Sequence, residues 1–279
     1  MKLLKGCLIG LMFWVGFSMV PFTSFAQGSL AASPARLFFS SAAGQTVMQT
    51  VRLSNSGKSP IIVKASLQDW ERDSVGAKVY YPAGKLNHSN AAWLKFSPEI
   101  IELQPGQERD VAVNMTIPQG ADQASVKNCM LFFTQINEQK EATRQGQKQL
   151  AISIRFEVGI HIYYTPPALT KKELNVVAFE DRGHVENQEG TFKRLALVVK
   201  NTGEVNADAR VHLEVTDAGS GEEFKFPDKP IAMLPGARQV VYIDIPAKLA
   251  GRKLVAVAML DSGITSDLKV AEKAFDYVK

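Results

Sequence analysis

Residues 149–167 read "QLAISIRFEVGIHIYYTPP", and from Leu150 to Tyr164 every even position is apolar: Leu150, Ile152, Ile154, Phe156, Val158, Ile160, Ile162 and Tyr164. The odd positions are small, polar or charged, apart from Tyr163. Successive side chains of a strand point to opposite faces, so this period of two predicts one strand with an apolar face. It persists for roughly 15 residues, against about 5 to 6 for an ordinary strand, and stops at Pro166 and Pro167.

Shorter alternating segments recur along the chain. "TVRLSNSG" holds Val51 and Leu53 in phase, "RDVAVNMTIP" holds Val111, Val113, Met115 and Ile117, and "RVHLEVTDAGSG" holds Val211, Leu213 and Val215. Gly, Asn and Pro signals separate them, which predicts β-sandwiches with almost no helix. A weak internal repeat predicts two copies of one architecture. "LSNSG" at 53–57 resembles "VKNTG" at 199–203, and "LQPGQERDVAVNMTIP" at 103–118 resembles "MLPGARQVVYIDIP" at 233–246. The prolines of "TPPALTKK" break any ladder, which sets the expected boundaries at 27–165, a linker at 166–171, and 172–279. Between these alternating runs, "NEQKEATRQGQKQ" at 137–149 has no aliphatic residue larger than alanine and reads as a mobile loop leading into the long strand.

The first 26 residues stand apart from the fold. Lys2 and Lys5, an apolar run from Leu8 to Val20, and "SFA" ending at Ala26 form a secretory signal with a cut before Gln27. Its removal takes Cys7 and leaves Cys129 alone, so no intramolecular disulfide is available, and the apolar run around Cys129 predicts a buried thiol. It also leaves 30 basic residues against 28 acidic ones, a balance that does not point to nucleic acid. His88, His161, His184 and His212 are too scattered for a zinc motif, no serine sits in a nucleophile elbow, and there is no phosphate loop. The sequence therefore predicts no catalytic residue, no metal, no cofactor and no small-molecule substrate.

Four segments, taken in order, carry a resemblance: "PARLFFS" with Arg36, "SLQDWE" with Gln68 and Trp70, "MLFFTQINE" with Phe132 and Phe133, and "IHIYYTPP" ending the long strand. They resemble the periplasmic chaperones of the chaperone-usher pathway (the PapD-like superfamily), which assist pilus assembly. The likeness covers most of the first half and reaches the second only as an immunoglobulin-like domain. It implies two immunoglobulin-like β-sandwich domains in tandem, all-β, in the periplasm, after cleavage near Ala26. It implies a pilin-like exported subunit as client, an outer-membrane usher-type platform as destination, and a strand edge that completes the client's sheet by donor-strand complementation. The donor positions carried over are Ile152, Ile154 and Phe156, each contributing about 1.5–3 kcal/mol when buried in a groove. The client-binding anchor is Arg36 with His161, the histidine standing where the family has lysine; with a reference pKa near 6.5, it should make client affinity rise as the pH falls toward about 5.5. Trp70 and the Phe132–Phe133 pair read as core. Exposed edges also pair with one another, so a self-capped homodimer is compatible with the chain, and an exported adhesion or scaffold module is the alternative reading.

Overall fold

The computed structural model describes residues 30–137, 139–143, 150–188, 190–263 and 268–278, with side chains described outside 139–154. The signal expected at 1–26 lies outside the described residues. The chain is all-β. In order, the strands are β1 (Leu30–Ser33), β2 (Arg36–Phe39), β3 (Thr46–Asn55), β4 (Ile61–Arg72), β5 (Lys78–Pro82), β6 (Leu94–Ser97), β7 (Ile100–Leu103), β8 (Glu108–Thr116), β9 (Lys127–Gln135), β10 (Gln139–Thr143), β11 (Leu150–Ile154) and β12 (Glu157–Tyr164). A second group follows: β13 (Leu174–Asn187), β14 (Gly190–Asn201), β15 (Ala207–Asp217), β16 (Glu223–Lys225), β17 (Lys229–Met233), β18 (Arg238–Pro246), β19 (Arg252–Asp261) and β20 (Lys269–Tyr277). Among the described residues the helical content is two single 3-10 turns, Ala91–Trp93 and Ala247–Leu249.

Each group closes into a sandwich because its alternating apolar residues need a facing sheet. In the first, the sheet β1-β3-β8-β6 lies over β2-β12-β9-β4-β5, with β7 also paired to β4. Val51, Leu53, Val111, Val113 and Met115 meet Val63, Leu131, Phe133, Ile160 and Ile162 in one buried core, together with Cys129. In the second, β13-β14-β18 faces β16-β15-β19-β20 around Leu195, Leu197, Val211, Leu213, Ile243 and Leu254. The two cores share no residue.

The sequence repeat has a hydrogen-bonding cause. Asn55 is buried; its Nδ2 donates to the carbonyls of Ser59 and Leu103 at 2.9 and 3.0 Å, while its Oδ1 accepts from the Gly57 amide at 2.9 Å. In the second sandwich Asn201 does the same for Val205, Met233 and Gly203 at 3.0, 3.2 and 2.9 Å. Its backbone carbonyl accepts from Gly236, as that of Asn55 accepts from Gly106. Both of these glycines have φ of 74°, the left-handed region that the Pro-Gly turns require. One asparagine thus pins a loop and a turn in each half.

Two expectations about the long strand are corrected. The alternation at 150–164 is not one strand: β11 and β12 are separated at Arg155 and Phe156, where the chain leaves extended pairing. β12 belongs to the main sheet through β9 and β2, whereas β11 pairs with β10, Glu141 opposite Ile152 and Gln139 opposite Ile154. The segment 137–149 is accordingly not all loop, because Gln139–Thr143 forms β10. Polar composition did not prevent pairing, since an antiparallel ladder is made by the backbone; residues 144–149 lie outside the described residues.

Candidate functional site

The outer face of the β2-β12-β9-β4-β5 sheet carries a second, smaller apolar cluster. Trp70, Met130, Phe132 and Tyr163 are buried there, and Leu234 of the second sandwich packs against them. This explains the unbroken burial of β9 from Asn128 to Phe133: odd residues enter the sandwich core and even ones meet the aromatic face. The Trp70 indole donates to the Cys129 carbonyl at 3.1 Å, and Tyr163 stacks on Phe38 at 5.2 Å. The Tyr163 hydroxyl is pushed up to about 12 by burial, so it stays protonated. The cluster is the seat of the second sandwich, held further by the Val240 amide on the Ser74 carbonyl at 2.7 Å.

Beside this seat, between the sandwiches, lies a cavity of about 460 Å³ lined by Arg36, Arg72, Tyr163, Asn206, Asp208 and Ser262 among others. A second, about 790 Å³, shares Arg36, Arg72, Asp208 and Ser262. Arg36 and His161 sit directly opposite each other in the parallel pair β2–β12. Arg36 is ion-paired with Asp208 of β15. Arg72 lies over the Trp70 ring at 5.5 Å and donates to the Gly76 carbonyl at 2.6 Å, with no acidic partner among the described residues. Three buried polar atoms at or beside the cleft lack a protein partner: His161 Nε2, Asn206 Oδ1 and Ser262 Oγ.

Electrostatics separate the two anchor residues proposed from sequence. His161 is pushed down to about 4, by burial first and then by Lys78, Arg36 and Arg72, against a hydrogen bond to the Ala35 backbone that works the other way. In the free chain it is therefore uncharged at pH 5.5, so the charge on which the expected rise in affinity rested is absent there. Its ring stands edge-on to Trp70 at 4.9 Å and parallel to Tyr163 at 6.1 Å, as an aromatic of the cluster. Lys78, opposite Arg72 on β5, is itself lowered by burial and by repulsion from Arg72 and Arg36. The cations on the walls of the two cavities are Arg36 and Arg72, with Lys172 on the first and Arg210 on the second.

The structure brings Arg36 and His161 together, places Ile152 and Ile154 on β11 in a separate pair with β10, and leaves Phe156 in the break before β12. Phe156 and Val158 are half-buried against the first core; the side chains of Ile152 and Ile154 lie outside the described ones. Arg72 and Lys78 were missed. A signal for Arg72 existed, since it follows Trp70 by two and so shares its face. Asp208 and Ser262 come from a distant sandwich and carry none.

No family model matches the sequence, and no curated protein matches it. Solved structures do. The CupB2 chaperone of Pseudomonas aeruginosa is 12% identical, covering 88% of this chain and 100% of its own, with a TM-score of 0.46. The chain's structural neighbours are pilus chaperones. The CsuC-CsuE chaperone-tip adhesion subunit complex of Acinetobacter baumannii archaic Csu pili gives 15% identity, 88% and 97% coverage and a TM-score of 0.46. The Salmonella enterica SafA pilin in complex with the SafB chaperone gives 15%, 88% and 96%, and 0.44. At these identities the assignment of site residues rests on this chain's own geometry.

Proposed function

We propose that this chain is a periplasmic assembly chaperone that binds an exported pilus-type subunit, caps it by donor-strand complementation and hands it to an outer-membrane usher-type platform. In this reading the signal at 1–26 is removed, and 27–165 and 172–279 act as two immunoglobulin-like domains joined at 166–171. The observation that carries it is the uneven cover of β12. β2 starts at Arg36, opposite His161, so Glu157–Ile160 pairs with β9 alone among the described residues. An uncovered strand edge offers main-chain donors and acceptors to any client lacking a strand, a sequence-tolerant attraction. Half-buried Phe156 and Val158 flank that edge on the core side, continuous with Ile160 and Ile162, where a client's apolar groove would extend the sandwich. Arg36, in the adjoining cleft, suits a client's terminal carboxylate, because guanidinium pairs with carboxylate through two parallel hydrogen bonds.

The test is co-export with a pilin-like subunit, followed by isolation of a one-to-one complex and amide exchange of the chaperone. The expected result is slowed exchange at Val158–Ile160 and a subunit kept from aggregation. A subunit that aggregates equally with and without the chain, with exchange at Val158–Ile160 unaltered, overturns the reading.

A further inference from the structure

We propose that Arg72 is a second carboxylate-binding residue of the cleft and that Asp208 is its resting occupant, an internal acid that an incoming carboxylate displaces from Arg36. This deepens the chaperone reading and rests on it.

Three observations converge. Arg36 and Arg72, from β2 and β4, line both cavities between the sandwiches, yet one carboxylate, Asp208, is ion-paired with Arg36 while Arg72 has no acidic partner among the described residues. Asp208 enters from β15 of the opposite sandwich and is more than half exposed, so it can turn to water without leaving a buried charge behind. Ser262, on both cavity linings, holds a buried hydroxyl with no protein acceptor. A carboxylate entering here gains both guanidiniums and a hydroxyl donor, where Asp208 satisfies one. Of the other acids on the walls, Glu173 is taken by Lys171 at 2.7 Å, and Asp261 accepts from the Gly263 amide at 2.8 Å and lies 3.9 Å from His212. His161 adds no charge and serves as packing for Trp70 and Tyr163.

The occupant follows from this chemistry. A C-terminal carboxylate on an extended chain running parallel to β12 along the open edge at Glu157–Ile160 reaches the cleft that begins at His161 and Arg36. A strand ending in an amide would pair with the same edge but leave Asp208 in place.

The experiment is calorimetric titration of a short N-acetylated peptide of alternating valine and threonine, as the free acid and as the C-terminal amide. For the parent chain the free acid binds about tenfold more tightly than the amide, the scale of one charge-assisted bidentate pair. Asp208→Asn, with Asp208→Ser as its second form, tightens the free acid severalfold and leaves the amide unchanged. Arg72→Gln weakens the free acid about tenfold and spares the amide. Amide exchange at Val240, whose amide donates to the Ser74 carbonyl at 2.7 Å between the sandwiches, controls for loosening and stays unchanged in Asp208→Asn. Tightening of both peptides by Asp208→Asn, or faster exchange at Val240 in that variant, overturns the displacement. So does a free-acid affinity that Arg72→Gln leaves intact. Equal binding of both peptides, with amide protection at Val158–Ile160, overturns this proposal alone; binding of neither overturns the strand-addition reading with it.

Discussion

His161 stands opposite Arg36 across a parallel strand pair, and the ring of Trp70 lies 4.9 Å from the imidazole. Burial among these groups, and Lys78 nearby, hold the imidazole at about 4 in the folded chain, below its ordinary 6.5. The unfolded chain therefore binds more protons between those values, so this residue costs stability as the pH falls from 6.5 to 4. Partial exposure trims the loss to about 2 kcal/mol or less. Urea unfolding at pH 7 and pH 4.5 should show a smaller acid loss for His161→Gln than for the parent; equal losses would mean that the imidazole is not held neutral.

Ile160 and Ile154 share the alternation but not the setting. Ile160 is fully buried in the first core, so Ile160→Ala should cost about 2–5 kcal/mol. Ile154, on the β10–β11 hairpin, should tolerate Ile154→Glu in a thermal melt while losing client recovery. An Ile154→Glu chain that unfolds would place that residue in ordinary core.

Removing either pinning asparagine strands buried carbonyls. Asn55→Ala and Asn201→Ala should each destabilise by about 2–4 kcal/mol. Because the two cores share no residue, amide exchange should quicken mainly in the sandwich that carries the change. Uniform quickening in both would show that the sandwiches unfold as one body.

Lys193 is buried on β14, with its ammonium 2.8 Å from Asp181. Burial works to raise the Asp181 carboxyl, but hydrogen bonds from Lys193 and the Gly183 amide hold it below the usual carboxylate range. That contribution is present above about pH 4 and fades as the pH falls through the lowered value. Lys193→Met leaves the acid unpaired and should destabilise the second sandwich by about 1–3 kcal/mol at pH 7, with a smaller penalty at pH 3. Calorimetric melts at the two pH values measure it.

Strand content, the buried Cys129 and the asparagine repeat were legible because each is a local pattern with a local cause: alternation, an apolar run, a turn. The break at Arg155 and Phe156 was not, since both residues keep the phase of the alternation and only the pairing partners differ on either side. Polar 139–143 hid β10 for the same reason, as the ladder does not need apolar side chains. At the cleft, Arg36 was legible through its neighbours in the first strand. The neutrality of His161 depends on Trp70, Lys78 and Arg72, which approach it only across the sheet.

The parallel pairing of β2 with β12 joins the first described strands to the last strand of the first sandwich. A chain synthesised from its amino end exposes Arg36–Phe39 early, yet that strand finds its partner only when Tyr164 has been made. Contacts of such long sequence separation are slow to close, and until then β2 and β9 each present an unsatisfied edge. Arg36 and His161 therefore come face to face only once the first sandwich is complete, so this wall of the cleft is a late product of folding that a half-made molecule does not carry.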